Sequence, residues 1–381
     1  MKICAIICEY NPFHNGHLYQ MQEAKRLAKA DALLCVMSGN FVQRGEAAIM
    51  DKFTRAKHAV LAGCDAVIEL PTVFATSNAE LFAKGAVALL SSIPQVTTLC
   101  FGAETADKEA FVKAATLLNN EPEEISNKIK ELSSTGVSYA KARCLAWENV
   151  LPEALLSSPN NILGLEYTRA ILSFDANIDI LPIQRVGGAY NDGEIKENYS
   201  SASAIRNAIC EGKAYEHNLP DFVVNDLPKR LENRLEALEK YALLSTPLKE
   251  IAEVCDCSEG LENALKKAAQ SEESLTEALT SARYTSSRIR RIALQNLLKV
   301  KESLIRDSLH NPLYLRILGV KKERKALLSA LSEASLPIIA RPRDENNLGE
   351  KAKECYAVDI FAEKLYGLLY MTKKEIDIFI K

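Results

Sequence analysis

Two of the five histidines in this 381-residue chain, His14 and His17, stand three residues apart in the stretch EYNPFHNGHLYQ (9–20), directly after an apolar run. Imidazoles so close together can donate hydrogen bonds to oxygens of one anion, and backbone N–H groups at the start of a helix favour the same kind of ligand. Gly16 has no Cβ and lets a phosphate or a flat purine approach the main chain. A second stretch, YSSASAIR (199–206), has a similar bias. Ser200, Ser201 or Ser203 can cap a helix N-terminus, and Arg206 one turn on offers a guanidinium fork. The two stretches together argue for phosphate chemistry, with a triphosphate such as that of ATP clamped between them. Preorganised donors in a water-poor cleft serve such a reaction better than covalent help, which puts His14, His17 and Arg206 in the catalytic set. Mg²⁺ is expected to accompany ATP, held mainly by the nucleotide and water. The rival readings are structural: a histidine pair that only caps a helix, and a capped helix with a surface arginine.

These groups need a frame. KICAIIC (2–8), ALLCVM (32–37), DAVIELP (65–71) and VTTLCFG (96–102) are apolar runs of strand length. Helical spacing marks 17–30, 51–64 and AELFAKGAVALLSS between them. Strands apolar on both faces, alternating with amphipathic helices, imply an α/β fold with a doubly wound parallel sheet. Its carboxyl edge is where a strand–loop–helix such as residues 2–30 delivers ligands. Further helices are expected at about 107–119, 121–133, 138–148 and 161–173, then a strand at 178–184. After about residue 220 the composition turns to Leu, Ala, Glu, Lys and Arg, and strand runs nearly vanish apart from LPIIA (336–340). A division into residues 1–220, the nucleotide domain, and 221–381, a mainly helical domain, is the expectation.

Composition bounds the class. With 48% hydrophobic and 25% charged residues the chain reads as an ordinary globular protein. No stretch has the ~18 consecutive apolar residues of a membrane span, and MKICAIIC lacks a cleavage signal, so a cytoplasmic protein without membrane association is expected. The ten cysteines are scattered with no CxxC pair, which predicts free thiols buried as small apolar residues. The net charge of −3 hides an asymmetry: Arg283–Lys325 carries +9 and the remainder −12. Such a basic segment suits a polyanion.

The H-x-G-H pattern after the first strand resembles the signature of the HIGH superfamily of nucleotidylyl transferases and class I aminoacyl-tRNA synthetases. Composition alone produces it in roughly three chains per thousand. YSSASAIR resembles that superfamily's second phosphate element, and no lysine loop of the synthetase kind is present, which favours the transferase side. Five segments decide the branch: EYNPFHNGHLYQ, SGNFVQRGEAAIMDKFTRAKHAVLAGCDAVIELP (38–71), LCFGAE (99–104), SPNNILGLEY (158–167) and YTSSRIRRIALQNLL (284–298). In this order and over nearly the full length they resemble the bacterial tRNA(Met) cytidine acetate ligase family.

That resemblance implies a HUP/Rossmann-like nucleotide domain and a reaction in two steps. ATP and acetate form acetyl-adenylate and pyrophosphate, and the acetyl group then passes to N4 of the wobble cytidine of elongator tRNA(Met), giving N4-acetylcytidine. It implies nucleotide contacts at Ile7, Cys8, Glu9, Tyr10, Asn11, Pro12, Phe13, His14, Asn15, Gly16, His17, Leu18, Tyr19 and Gln20. Gly102, Asn161 and Arg185 follow in the same way, and Ser203 joins them from the second phosphate stretch. A glycine at a strand end also allows close approach to the backbone, while Asn161 reads equally as a helix cap. The alternative function is a small-molecule nucleotidylyl transferase, which leaves the helical part idle; a non-catalytic tRNA-binding module is a third reading.

Two segments complete the candidates. The connection SGNFVQRGEAAIMDK is longer than most, and Gln43, Arg44, Glu46 and Lys52 in it could neutralise acetate or phosphates. In the basic segment Arg288, Arg291, Gln295 and Lys299 fall on one helix face, opposite Ile289, Ile292 and Leu297. Arg283, Tyr284, Arg288, Arg290, Arg291 and Lys299 are therefore expected at the tRNA, with Tyr284 and Tyr314 available to stack on unpaired bases.

Overall fold

The first apolar run forms strand β1 (Ile3–Cys8), in which Ile3, Cys4, Ala5 and Ile6 are at most 1% exposed. Ile3, Ala5 and Ile7 enter one core, Cys4 and Ile6 another on the opposite face. A strand without polar alternation has to be covered twice, and each large aliphatic side chain so buried contributes about 1.5–3 kcal/mol. The protein is described by a computed structural model that covers residues 1–381 apart from 149, 187–194, 196, 197, 229–233, 312, 371–377 and 381.

β1 is followed by a helix, Asn15–Ala28, and then by β2 (Ala32–Ser38). A small hairpin, β3 (Phe41–Val42) with β4 (Glu46–Ala47), precedes the helix Lys52–Leu61 and β5 (Ala66–Leu70). The helix Ala79–Ser91 leads to β6 (Val96–Ala103), and five helices, among them Lys108–Asn119, Tyr139–Trp147 and Pro159–Ser173, lead to β7 (Asp179–Gln184). The five long strands lie in the order β5-β2-β1-β6-β7, all parallel. The chain leaves β1 toward β2 and returns on the other side at β6, so the carboxyl ends of β1 and β6 flank the topological switch point. The doubly wound sheet is as expected.

After residue 221 the chain is mainly helical, with Leu235–Ser245, Leu261–Ala268, Ser286–Leu297, Glu302–His310 and Glu350–Tyr370 as its longer helices. The expectation that strands nearly vanish there is corrected. β8 (Leu315–Lys321) joins the main sheet antiparallel to β5, Ala66 opposite Val320, and carries β9 (Ile338–Ile339) and β10 (Phe379–Ile380) as parallel neighbours. Arg316 interrupts the apolar run of β8, and its charge is neutralised by residues far away in sequence. Its Nη1 lies 3.2 Å from Glu69 of β5 and its Nη2 donates to Glu363 at 2.8 Å. Lys52 Nζ meets the same two carboxylates at 2.8 and 3.0 Å. The long helix Glu350–Tyr370 thereby locks onto the sheet, helped by Asp359, which accepts from the Thr72 N–H and the Tyr314 hydroxyl. The outer helices keep a smaller core of their own, around Leu243, Ile251, Leu265, Ile289 and Ile292.

All ten cysteines are free, but Cys210 is exposed and Cys8, Cys144 and Cys257 are half-buried, so the expectation of uniformly buried thiols holds for six. Among the described residues no helix is long and apolar enough to cross a membrane.

Candidate active site

A cleft of about 180 Å³ opens at the switch point. Its floor is the end of β1, from Ile7 to Asn11, with Phe101 and Gly102 of β6 beside it. His14 and His17 form one wall. Ser201, Ala202, Ser203 and Arg206, at the start of the helix Ala202–Glu211, stand across from them, with Arg185 at the end of β7. A larger cavity of about 520 Å³ between Lys84, Asn119 and Arg169 contains none of the residues marked out by the sequence and lies away from the strand ends.

The histidine pair does both things the sequence allowed. His14, 6% exposed, is the N-cap of the first helix. Its Nδ1 accepts from the Gly16 N–H at 3.1 Å, and His17 Nδ1 accepts from the His14 N–H at 3.3 Å. An Nδ1 that accepts leaves the proton of a neutral imidazole on Nε2. Burial, with the Arg185 guanidinium adding to it, pushes the His14 imidazole down to about 3; burial, His14 and Arg185 hold His17 well below its ordinary value. Both rings are therefore neutral near pH 7 and stack at 3.6 Å between centroids. Two Nε2–H donors on the cleft side result, tied to the capping bonds. Gly16 serves this geometry rather than a ligand directly, because a Cβ there would sit 2.9 Å from His14 Cε1.

Tyr10, next to the cleft floor, holds φ at 49°, a left-handed conformation that costs a residue with a Cβ about 1–2 kcal/mol. Its ring is buried against Phe13 and His17, each at 4.9 Å, which keeps it there. The neighbouring backbone is pinned by a residue that no sequence pattern pointed to. Arg55, fully buried, donates to the carbonyls of Met50, Glu9, Ser38 and Gly39. It thus ties the ends of β1 and β2 to each other.

Arg206 donates to the Asn11 carbonyl at 2.7 Å and to Ser203 Oγ at 3.3 Å, and Glu46 lies 3.7 Å away. Ser201, of the three serines considered, is the N-cap. Gly102 lines the cleft, and a Cβ on it would touch Arg185 Cγ at 3.4 Å. Gly187 and Gly188, which follow Arg185, lie outside the described residues. Gln43, Arg44 and Glu46 of the hairpin line the cleft as well.

Several expected contacts do not reach it. Asn161 is fully buried; its Oδ1 accepts from the backbone of Glu104 and Thr105 and its Nδ2 donates to the Ala154 carbonyl. Its neighbour Asn160 lines the cleft instead. Helical position alone decided between them, and the sequence carried no signal for it. Phe13 is core, Leu18 packs on the same core, Pro12 is buried, and Asn15 donates to the His217 carbonyl. Cys8, Tyr10, Asn11 and Gln20 face the cleft, and Tyr19 lines its outer lip. Lys52 is corrected outright, since its ammonium is spent in the buried network with Glu69 and Glu363.

The basic helix Ser286–Leu297 departs from its expected solvent face. Gln295 is 1% exposed and donates to the Thr76 carbonyl. Arg288 donates to the Asp256 carbonyl and Arg291 lies 3.5 Å from the Asp256 carboxylate. Arg290 reaches the hairpin, at the Arg44 carbonyl and 3.4 Å from Glu46. Arg288 also covers the half-buried Tyr284 ring at 5.2 Å. Tyr314 is fully buried and cannot stack on a base. Lys299 is exposed, and Arg283 is 45% exposed while paired with Glu259. The helix sits between two cores, Ile289 and Ile292 in one and Leu294 in the other, which leaves it no wide solvent face.

A strand end, an imidazole pair and a capped helix carrying an arginine, brought to the switch point of a parallel sheet, define the nucleotidylyl-transferase class of α/β protein. The comparisons agree: the HIGH Nucleotidyl Transferase family matches residues 1–378. The tRNA(Met) cytidine acetate ligases of Thermoanaerobacter sp. (strain X514) and Thermosipho melanesiensis are 39% and 37% identical to this chain, covering 97% and 98% of it and 96% of their own lengths. The crystal structures of Thermotoga maritima TmcAL, apo and bound with alpha-thio ATP, superpose with TM-scores of 0.89 and 0.87 at 32% and 34% identity. Each covers 98% of this chain, and the match takes in 96% and 95% of theirs. The chain belongs to the tRNA(Met) cytidine acetate ligase family of HIGH nucleotidyl transferases.

Proposed function

We propose that this protein activates acetate with ATP as acetyl-adenylate, releasing pyrophosphate, and acetylates N4 of the wobble cytidine of elongator tRNA(Met) in the cytoplasm. The observation that carries this reading is one cleft lined by His14 and His17, whose Nδ1 atoms accept backbone N–H groups, by Arg206 and by the capped start of the helix Ala202–Glu211. In the adenylation step the acetate carboxylate attacks the α-phosphorus and pyrophosphate departs with the bond pair. His14 and His17 donate to phosphate oxygens as neutral groups, so their donation survives any pH above their depressed pKa values. Arg206 and the N–H groups after Ser201 stabilise the charge that grows on the leaving pyrophosphate. Gly102, Arg185 and Ser203 complete the nucleotide's surroundings.

Magnesium belongs to this reading as a partner of the triphosphate. It would be held mainly by nucleotide oxygens and water. When bound, it supplies further charge neutralisation at the phosphates.

The tRNA is assigned to the face where the basic helix meets the hairpin beside the cleft, with Arg283, Lys299 and Tyr284 as its outer contacts. The small-molecule alternative leaves residues 221–310 without a task. The test is labelled acetate with ATP and total tRNA, with and without His17→Ala. Label is expected in elongator tRNA(Met) and is lost in the variant. Label that requires acetyl-CoA, or pyrophosphate release that ignores acetate, overturns the reading.

A further inference from the structure

Acyl transfer to N4 has a requirement that adenylation lacks. An exocyclic amine that bonds to the acetyl carbon must shed a proton, and a cleft with too few proton acceptors stalls at this point. The structure narrows the candidates. His14 and His17 present Nε2–H to the cleft, because their Nδ1 atoms accept backbone N–H groups. Glu46 is engaged as an ion-pair partner of two guanidiniums, 3.7 Å from Arg206 and 3.4 Å from Arg290. Burial drives the Tyr167 phenol far above its usual range, so its oxygen stays protonated.

Glu9 remains. It is the residue directly after β1, in the cleft floor beside Tyr10 and Asn11. Its carbonyl is gripped by Arg55 at 2.5 Å and its Oε1 accepts the Gln43 N–H at 2.7 Å, which fixes both backbone and carboxylate. Oε2 has no hydrogen-bond partner among the described residues. Burial raises this carboxyl above the ordinary glutamate value, against the Gln43 N–H and the Arg206 and Arg55 charges and with help from Glu46. Other charged or titratable groups on the same cleft are Cys8, Tyr10, Arg44, Arg185, Tyr167 and the two imidazoles.

We propose that Glu9 is the general base of acetyl transfer, an assignment that rests on the function proposed above. The N4–carbon bond forms, the bond between the acetyl carbon and the phosphate oxygen breaks, and AMP leaves with that electron pair. The N4 proton passes to Glu9 Oε2 and from there to water.

Single-turnover transfer from enzyme preloaded with ATP and labelled acetate, mixed with tRNA between pH 5 and 8, tests this. In the wild type the transfer rate climbs with pH through a pKa above the ordinary glutamate value and then levels. Glu9→Gln slows transfer by about 10²-fold or more and flattens the profile. Its acetate-dependent ATP–pyrophosphate exchange falls by a much smaller factor. Glu9→Asp, which keeps a carboxylate, restores a rising profile at a reduced rate and covers the case in which the amide variant fails to fold. A Glu9→Gln transfer rate like the wild type's overturns the assignment, as does an equal loss of exchange and transfer, or an aspartate variant with a flat profile. A wild type that fails to exchange with acetate sinks the functional reading itself and is thereby distinguishable.

Discussion

The cleft and the basic helix are both rich in arginine, yet they use it in opposite ways. Around the cleft Arg206 spends hydrogen bonds on the Asn11 carbonyl and Ser203, and these hold its guanidinium in the cleft wall. On the helix Ser286–Leu297, Arg288 and Arg291 turn toward Asp256 and Arg290 toward Glu46, so most of the segment's positive charge closes on the protein's own acids. Residue types along the chain mark out both regions; only the direction of each side chain separates a ligand site from a structural clasp.

The contrast breaks most visibly at the cleft. Removing Arg206 or His17 by alanine substitution is expected to lower acetate-dependent pyrophosphate exchange by about 10²–10³-fold, with the circular dichroism spectrum unchanged; a loss under tenfold would make these side chains mere caps. Next comes Lys52→Met, which leaves Glu69 and Glu363 to share Arg316 alone, one buried charge uncompensated, and should cost about 3–5 kcal/mol in denaturant unfolding. ATP affinity of the folded fraction should stay the same, and a selective loss of affinity would return Lys52 to the ligand set. Arg291→Glu sets a carboxylate against Asp256 and should lower Tm, whereas Arg283→Glu with Lys299→Glu should leave Tm alone. The latter pair is expected to weaken tRNA binding several-fold and to shallow its salt dependence by up to two phosphate contacts. Equal tRNA affinity in that double variant would move the RNA face elsewhere.

The smallest effect sharpens the picture of neutral donors. An imidazole whose folded pKa is depressed takes up its proton more readily in the unfolded chain, so stability rises with pH across that interval. Between about pH 6.5 and 3 the His14 contribution is progressively lost as pH falls. His14→Gln should therefore show a flatter Tm against pH in the acid range than the wild type.

Much of the frame was legible because parallel strands buried on both faces must be continuous apolar runs, and β1, β2, β5 and β6 are. The histidine pair and the serine–arginine stretch were legible through their spacing around those strand ends. β8 was not, since Arg316 in its middle looks solvent-facing until Glu69 and Glu363 are brought to it by the fold. The same blindness to distant partners misplaced Lys52 and Gln295, whose roles are set by Glu69 and by the Thr76 carbonyl. Asn161 and Asn160 differ by one helical step, which a local pattern cannot resolve without knowing where Glu104 lies.

The antiparallel pairing of β8 with β5 has a consequence for how the protein is made. On the ribosome the ATP-handling strands emerge early, but the open flank of β5 stays uncapped until Leu315 arrives, 245 residues after Leu70. At about 5–20 residues per second that is roughly 12–50 s of exposed strand edge in every nascent chain. An unpaired flank of this kind is a template for pairing with a neighbour. Chaperone occupancy of polysomes stalled before codon 315, rather than the stability of the finished protein, should set how much of this enzyme a cell obtains.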